Sequence, residues 1–474
     1  MATDLPDSPD FTDLDARLRA LAQDVPGTLV LGYSGGLDST VLLHALVRAG
    51  LAARVLAVHV QHGLQAAADD WCQHCADTAQ QLDVAFHSVH PAVPHGPNLE
   101  ARARDARRAH LLALTPADGA LLLAHHADDQ AETFLLRLLR GSGPTGLAAM
   151  AADSEFAGRR LLRPLLPWRR DALADLAARW QLQWVEDPTN AATEADRNFL
   201  RHAILPRLAE RWPAVVGTLN RDAQLQAEAA TLQMSLAEAD LVALALPSGP
   251  GSAAEDAISL SGLAALPAAR QRNLLYGWLR RKGLQAPPRK VLQRVLDEVA
   301  TALPDRMPEV RWEQGVFCRY RDGLYLLPLA ALTPLDGEVV LPLADSARCT
   351  LGPLTVTVRA GVFSGVPSDA PSDVPSDAFT GELWLPQHLT EVIVGPAPPG
   401  ARLLLGGLHR DVREGWRAAG IAPWVRRRLP VFRESGTAAL LAVAGLGVAD
   451  DNRPAPGEPA WALRWRASET DSRL

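Results

Sequence analysis

The sequence predicts an α/β protein in three parts: a parallel sheet with helices on both faces, then a mainly helical domain, then a small α+β domain. Three observations predict this. From Thr28 to Arg140, short apolar runs alternate with stretches of helical spacing. After Trp212 the short runs give way to long helical periodicity. Beyond a Pro-Ser-Asp unit repeated three times between Val366 and Asp377, short strand-like runs surround a single helix. The boundaries fall at 1–215, 216–332 and 333–474, with an exposed insertion at about 364–379. A chain of 474 residues with 48% hydrophobic content is long enough for several cores.

In order, a polar leader runs into a helix around Leu14 to Ala22. Thr28 to Tyr33 is an apolar strand bounded by Pro26-Gly27 and Gly35-Gly36. Leu42, Leu43, Leu46 and Val47 then repeat at helical spacing. Val55 to Val60 is a second strand, Ala66 to Leu82 a helix, and Val84 to Val89 a third strand. Leu99 to Leu114 is helical, Ala120 to Ala124 a buried strand, and Asp128 to Arg140 a helix. In the second part Ala223 to Leu244, Ala264 to Arg281 and Arg289 to Ala302 read as helices. Val310 to Leu327 reads as a hairpin turning at Arg321-Asp322-Gly323. In the third, Thr390 to Val394, Val431 to Phe432 and Leu440 to Val443 read as strands around a helix from Arg410 to Ala419.

The first strand and helix enclose Ser34-Gly35-Gly36-Leu37-Asp38-Ser39. Two glycines allow a sharp turn and close backbone approach to a ligand. The hydroxyls of Ser34, Ser39 and Thr40, with the open N–H groups of a helix start, suit an anion. The common lysine-bearing phosphate loop is excluded, because no lysine precedes Lys282. Ligands of such sheets bind beyond the carboxyl ends of the strands, where Ser34 to Ser39, His62 and His125 to Glu132 all fall.

His125-His-Ala-Asp-Asp-Gln-Ala-Glu-Thr133 closes a strand and opens a helix. Asp128 there reads as a helix cap. Asp129 and Glu132 are three apart and share a face, which suits either Mg²⁺ or an ammonium group that must lose a proton. Arg104 and Arg107 also share a face, one turn beyond Glu100; they are either a solvated surface or phosphate ligands. Trp184-Val-Glu-Asp-Pro-Thr-Asn190 reads as a turn. Cys72-Gln-His-Cys75 lacks the two further ligands that zinc takes, so it reads as a pair of unliganded thiols.

A net charge of −7 gives no global nucleic-acid signature, so a basic surface must be local. Between Arg402 and Arg433 eight arginines face only Asp411 and Glu414, with Trp416 and Trp424 interleaved. That segment is either an RNA-binding surface or a solvated basic helix with core tryptophans. Four cysteines argue against a disulfide-stapled secreted protein, and the acidic N-terminus has no signal-peptide pattern. Thr437 to Ala449, the longest apolar stretch, is too short to span a bilayer. A cytoplasmic protein with no membrane partner is expected.

The hexapeptide resembles the loop of the PP-loop ATP pyrophosphatases, whose fold is adenine nucleotide α-hydrolase-like. The full ordered set is more specific: Ser34 to Ser39, Val60 to Leu64, Glu100 to Arg107, His125 to Thr133, Arg140 to Leu147, Arg163-Pro-Leu165, Glu186-Asp187 with Asn190, and Arg197-Asn198 with Arg201. Together these resemble the tRNA(Ile)-lysidine synthetases in their long bacterial form, and the resemblance continues over Pro267 to Leu327 and Gly406 to Phe432. It implies a ligase that uses ATP to adenylate oxygen 2 of the wobble cytidine of CAU-anticodon tRNA(Ile). The ε-amine of free L-lysine then displaces AMP to give lysidine.

By the same resemblance Ser34, Gly35, Gly36, Leu37, Asp38 and Ser39 would bind ATP, with Asp38 acting through Mg²⁺. Asp129 and Glu132 would bind lysine. Arg104, Arg107, Arg197, Arg201, Arg410, Arg413 and Arg426 would contact tRNA or the adenylate, with Asp38, Arg107, Asp129 and Glu132 catalytic. The resemblance leaves room for a homodimer. The chain departs from it at Gln61, where many members carry Asp, and at Arg108, where Tyr is usual; the Pro-Ser-Asp repeat has no counterpart. One rival is a PP-loop tRNA thiolase, which would need reactive cysteines. Another is a catalytically silent tRNA-binding protein, which the intact Asp38, Asp129 and Glu132 argue against.

Overall fold

The computed structural model describes residues 12–61, 68–91, 99–186, 196–246, 257–302, 306–364, 381–437 and 439–467. The Pro-Ser-Asp repeat, His62, and Asp187 through Asn190 lie outside them. The chain divides into two compact units, Met1–Leu232 and Gln233–Leu474. Among the described residues no helix is long and apolar enough to cross a membrane.

The first unit begins with α1 (Thr12–Gln23), β1 (Leu29–Gly32), α2 (Leu37–Arg48), β2 (Val55–Val60), α3 (Ala68–Gln81), β3 (Ala85–Val89), α4 (Leu99–Ala113), β4 (Ala120–Leu122) and α5 (Ala127–Leu139). These match the expected alternation. It continues with α6 (Pro144–Leu147), β5 (Asp153–Phe156), β6 (Arg159–Leu162), α7 (Arg170–Arg179), α8 (Asp196–Phe199), a π-turn at Leu200–Ile204, α9 (Leu205–Arg211) and α10 (Val215–Leu244), which crosses into the second unit. The sheet order is β3-β2-β1-β4-β6-β5. Its first five strands are parallel, and β5 is an antiparallel edge joined to β6 by the two-residue turn Ala157-Gly158.

Strand alternation sends β1 side chains to both faces. Leu29 and Leu31 pack with Leu14, Leu18, Leu42, Leu46 and Leu173 on one face. Val30 packs with Val58, Leu111, Leu121 and Leu161 on the other. Both faces are therefore covered, as a parallel sheet requires. Every strand of the parallel set ends at the same edge, which is where β1, β4 and β6 release their loops.

The second unit starts with the end of α10, then β7 (Ala257–Ser259), α11 (Leu260–Ala265), α12 (Ala268–Arg281), α13 (Arg289–Arg294) with a π-turn at Val295–Val299, β8 (Glu309–Trp312), β9 (Gly315–Tyr320) and β10 (Gly323–Pro328). The single helix expected over Ala264 to Arg281 is two. Leu266 adopts ψ 147°, because a residue before proline is driven out of the helical region, and Pro267 then caps α12. The hairpin turning at Arg321-Asp322 is present and forms a sheet in the order β7-β10-β9-β8. Buried Arg319 donates to the carbonyls of Val299, Ala300 and Ala302, closing the end of the α13 π-turn.

Far more strand follows than the three expected runs. The elements are β11 (Val339–Pro342), β12 (Arg348–Leu351), β13 (Leu354–Val362), β14 (Gly381–Pro386), β15 (Glu391–Gly395), β16 (Arg402–Leu405), β17 (Leu408–Asp411), α14 (Val412–Ala418), α15 (Pro423–Arg426), β18 (Val431–Glu434), β19 (Leu440–Val443), β20 (Gly447–Val448) and β21 (Pro459–Ala467). They form antiparallel sheets β11-β15-β18-β19-β20 and β12-β13-β21-β14, with β16-β17 as a separate hairpin. Trp416 and Trp424 belong to their shared core.

Candidate active site

The hexapeptide is the turn between β1 and α2. Gly35 has φ +79°, and a Cβ there would sit 2.7 Å from the Cys75 sulfur and 3.0 Å from Val185. Only glycine fits both the conformation and the space. Ser39 Oγ donates to Gly36 O at 3.0 Å, so its single proton is used. Ser34 Oγ therefore donates to Ser39 Oγ at 3.1 Å, and Thr40 Oγ1 donates to Gly35 O at 3.3 Å. The first intrahelical bond of α2 is Thr40 N to Gly36 O, and Gly36 supplies no side-chain cap. The N–H groups of the first turn before Thr40 have no intrahelical acceptor, which is what a phosphate cradle uses. The segment before Asp187 runs along this loop, with Val185 N donating to Gly35 O at 2.9 Å.

Asp38 stands in the first turn of α2. Its Oδ1 is buried with no hydrogen-bond partner. Burial raises its pKa above the ordinary carboxylate value against the pull of His126, and Asp129 adds to the rise. An orphaned, partly desolvated carboxylate oxygen beside a phosphate cradle fits a divalent cation arriving with a nucleotide.

β4 delivers the second group. His126 caps α5: its backbone N–H donates to Asp129 Oδ2 at 3.1 Å, and Asp129 N donates back to His126 Nδ1 at 3.4 Å. His126, not Asp128, is thus the α5 cap. Asp128 instead accepts from Arg170 N at 2.8 Å, capping α7. His126 Nε2 lies 3.4 Å from Asp129 Oδ2 and 3.7 Å from Asp38 Oδ2. Burial opposes charge on His126, but Asp128, Asp129 and Asp38 outweigh it and raise its pKa. Asp129 is pushed up by burial and pulled down further by His126, Arg197 and His125, so its pKa is lowered.

α8 and the π-turn bring Arg197 and Arg201 onto the carboxylates. Glu132 is fully buried. It accepts from Arg197 Nε at 2.6 Å and from Arg201 Nε and Nη2 at 2.6 and 3.0 Å. Asp129 Oδ1 accepts from Arg197 Nη2 at 3.0 Å and Arg201 Nη2 at 3.1 Å. The spacing argument put both carboxylates on one face, and they are, but the expected lysine ligands and RNA ligands prove to be partners of one another. The π-turn at Leu200–Ile204 sits where such turns recur, at a site that re-aims side chains. Arg197 and Arg201 answer Asp129 and Glu132, while Asp38 and Asp128 face His126, with Arg170 close enough to Asp38 and Arg169 to Asp128 to favour their charged forms. The unpartnered Asp38 Oδ1 is the carboxylate atom left open to a cation.

Arg104 and Arg107 are exposed on α4. The side chain of Glu100 lies outside the described residues. Gln61 Nε2 donates to Asp69 Oδ1 at 2.7 Å, so this departure serves the start of α3. Arg108, in place of the usual tyrosine, lies over Phe156 with its guanidinium carbon 5.1 Å from the ring centroid. Cys75 is buried beneath Gly35, and burial pushes its thiol up to about 12. Among the described residues no group of three histidines, cysteines or acids is placed to hold a metal by itself.

In the second unit Arg410 and Arg413 are exposed. Arg426 is half-buried, with Nε donating to Ile421 O at 2.6 Å and Nη2 to Tyr320 OH at 3.3 Å. Trp416 and Trp424 are buried, so neither offers a face to a base. Sequence reasoning placed His126 within the candidate stretch His125 to Glu132 but gave it no role of its own, although paired histidines before Asp-Asp at a strand end are a legible signal. It also missed Asp128 capping α7, for which no local signal exists.

Three family models match in chain order: a PP-loop domain over residues 12–208, a TilS substrate binding domain over 258–325 and a TilS substrate C-terminal domain over 392–465. The tRNA(Ile)-lysidine synthase of Alkalilimnicola ehrlichii is 42% identical over 90% of this chain and 91% of its own. That of Pectobacterium atrosepticum is 38% identical over 93% and 94%, and that of Serratia proteamaculans 37% over 92% and 95%. With an ATP-binding PP-loop domain and matches along nearly its whole length, the chain belongs to the tRNA(Ile)-lysidine synthase family.

Proposed function

We propose that this enzyme joins L-lysine to carbon 2 of the wobble cytidine in CAU-anticodon tRNA(Ile), through an adenylated tRNA, releasing pyrophosphate and AMP. One observation carries this reading: adjacent strands β1 and β4 end in a phosphate cradle and a carboxylate cluster, side by side, with one Asp38 oxygen left unpartnered. ATP and a cationic nucleophile are thereby given neighbouring sites. The domain assignment follows: 1–215 catalytic, with 216–332 and 333–474 holding tRNA.

In the first step cytosine O2 attacks the α-phosphorus of ATP, a new P–O bond forms, and the bond to pyrophosphate breaks. Ser34 to Ser39 hold the phosphates through N–H groups of the turn, whose shape the Ser34 and Ser39 hydroxyls fix. Asp38 would hold Mg²⁺, which when bound neutralises phosphate charge. Arg107 and Arg104, exposed on α4, would contact phosphate or the reacting nucleotide. In the second step the lysine ε-nitrogen attacks carbon 2, the C2–O bond breaks, and AMP leaves with that oxygen. Asp129, with its lowered pKa, binds the incoming ammonium and remains ionised. Glu132 acts with it by fixing Arg197 and Arg201. The bound ammonium passes a proton to solvent water before attack, because an ammonium has no lone pair, and Asp129 stays ionised throughout. Arg410 and Arg413 contact tRNA from the third domain, with Arg426, anchored on Ile421 O and Tyr320 OH, as the third expected contact.

The test separates the two steps. With α-³²P-labelled ATP and no lysine, label should enter CAU-anticodon tRNA(Ile) and leave as AMP once lysine is added. Asp129→Asn should still adenylate the tRNA but fail to transfer lysine; unchanged transfer would remove Asp129 from the lysine site. A requirement for a sulfur donor would favour the thiolase, which the protonated Cys75 argues against.

A further inference from the structure

The β6 strand belongs to the same parallel edge as β1 and β4, and the residue that follows its end, part of the Arg163-Pro-Leu165 motif, has no role in the mechanism. That residue is Arg163. Its Nη1 donates to Ala151 O at 2.7 Å and lies 3.3 Å from Ser154 Oγ. Its Nε is buried with no hydrogen-bond partner. Among the described residues no carboxylate pairs with it. Two further guanidiniums press on it, those of Arg108 and Arg137. Arg137 is held by neutral groups, donating to the carbonyls of Gly146 at 2.7 Å and Ala149 at 2.8 Å. Arg108 is held over Phe156 and lines a groove of about 560 Å³ with Asp105, Leu112, Phe156 and Arg159. Burial, then Arg108 and Arg137, bring the Arg163 pKa down to about 10. Three like charges gathered on neutral anchors are unfavourable unless an anion joins them.

We propose that Arg163, Arg137 and Arg108 form a phosphodiester subsite that holds the RNA backbone beside the nucleotide being modified. Sheet order gives the scale. β6 neighbours β4 and lies two strands from β1, so its end stands roughly 10 Å from the ATP cradle. The His125–His126 pair of β4 lies between them, and His125 feels the Arg163 charge. A base placed at His126 and Asp129 thus has ATP on one side and its own backbone on the other. Planar guanidiniums suit phosphate oxygens, whereas Phe156, paired with Arg159 at the opening of β6, serves to hold Arg108. This subsite rests on the tRNA reading above.

The same chemistry would also take a phosphate of ATP, and the experiment distinguishes the two. Arg163→Gln and Arg108→Gln are compared with wild type for tRNA(Ile) affinity across a salt series and for the KM of ATP. Arg108 lies near the surface, so its variant retains the fold if the Arg163 change does not; melting temperature checks both. The subsite predicts about tenfold weaker tRNA binding in each variant, a log–log salt slope shallower by about one, and an unchanged KM for ATP. A raised KM for ATP with unchanged tRNA affinity would assign the cluster to ATP and overturn the proposal. Unchanged values of both in folded variants would overturn it as well. Failure of wild type to bind tRNA(Ile) at all would instead overturn the functional reading.

Discussion

Replacing Glu132 by glutamine should destabilise the first unit more than any surface change. The side chain is fully buried and accepts three guanidinium N–H bonds. Glutamine keeps the shape but removes the charge and turns donors toward donors. Arg197 and Arg201 are only 23% and 28% exposed, so water replaces little of what they lose. Breaking such a pair from one side costs about 3 kcal/mol. For a unit of this size that is a fall of about 6–12 °C in Tm. Differential scanning calorimetry of the full chain measures it. Adding Arg201→Gln should give back part of the loss, since the second change removes a charge the first left unpaired. A coupling of about 1 kcal/mol or more is expected from the cycle. A Tm within 2 °C of wild type for Glu132→Gln, or strict additivity, would refute the ion-pair account and return Glu132 to the open face of the pocket.

Gly35→Ala forces an L-residue to φ +79° and a Cβ against Cys75, so ATP binding should fall at least tenfold with a loss of about 1–2 kcal/mol in stability, read by calorimetry and nucleotide titration. His125 should make stability pH-dependent. Burial lowers its folded pKa from 6.5 to about 4, so below 6.5 the unfolded state takes the proton first. Stability should therefore drop by up to about 2 kcal/mol from pH 7 to pH 5, and His125→Gln should flatten that slope in urea unfolding. Cys75, with its thiol at about 12, should resist a thiol reagent in the native protein at pH 8 and react on unfolding; rapid native labelling would reopen the thiolase. Arg410→Ala with Arg413→Ala should weaken tRNA binding and its salt dependence without shifting the melting temperature; unchanged binding would remove the third domain from the interface.

The parallel sheet is legible because its strands are short, wholly apolar and bounded by turn residues, and each functional loop leaves at a strand's carboxyl end. The edge hairpin β5–β6 is not legible. Asp153-Ser-Glu-Phe156 is polar and mostly exposed, and its partner strand opens with two arginines. Such an edge is held by backbone pairing and by Arg160 on Asp153, neither of which leaves an apolar pattern. α7 is different: Leu173, Leu176 and Ala177 do recur at helical spacing, yet the arginine-rich stretch around them hides it. In the last part the two-residue β20 falls below any period that spacing can reveal, whereas nine-residue β13 alternates buried and half-buried residues over Leu354 to Val358 and is legible, although the expected strands omit it. At the site, local spacing correctly pairs Asp129 with Glu132. That Arg197 and Arg201 land on them depends on a π-turn some seventy positions away, about which neighbouring residues say nothing. The basic segment teaches the converse. Its tryptophans look like base-stacking rings beside arginines, but Trp416 donates to Ala444 O in the core.

The most direct test of the central claim is incubation of the purified protein with CAU-anticodon tRNA(Ile), ATP, Mg²⁺ and radiolabelled L-lysine. Lysine transfer at the β1–β4 edge predicts label in that tRNA, none in methionine tRNA, and none for Asp38→Asn. Absence of label in tRNA(Ile), with ATP and tRNA both shown to bind, would contradict it.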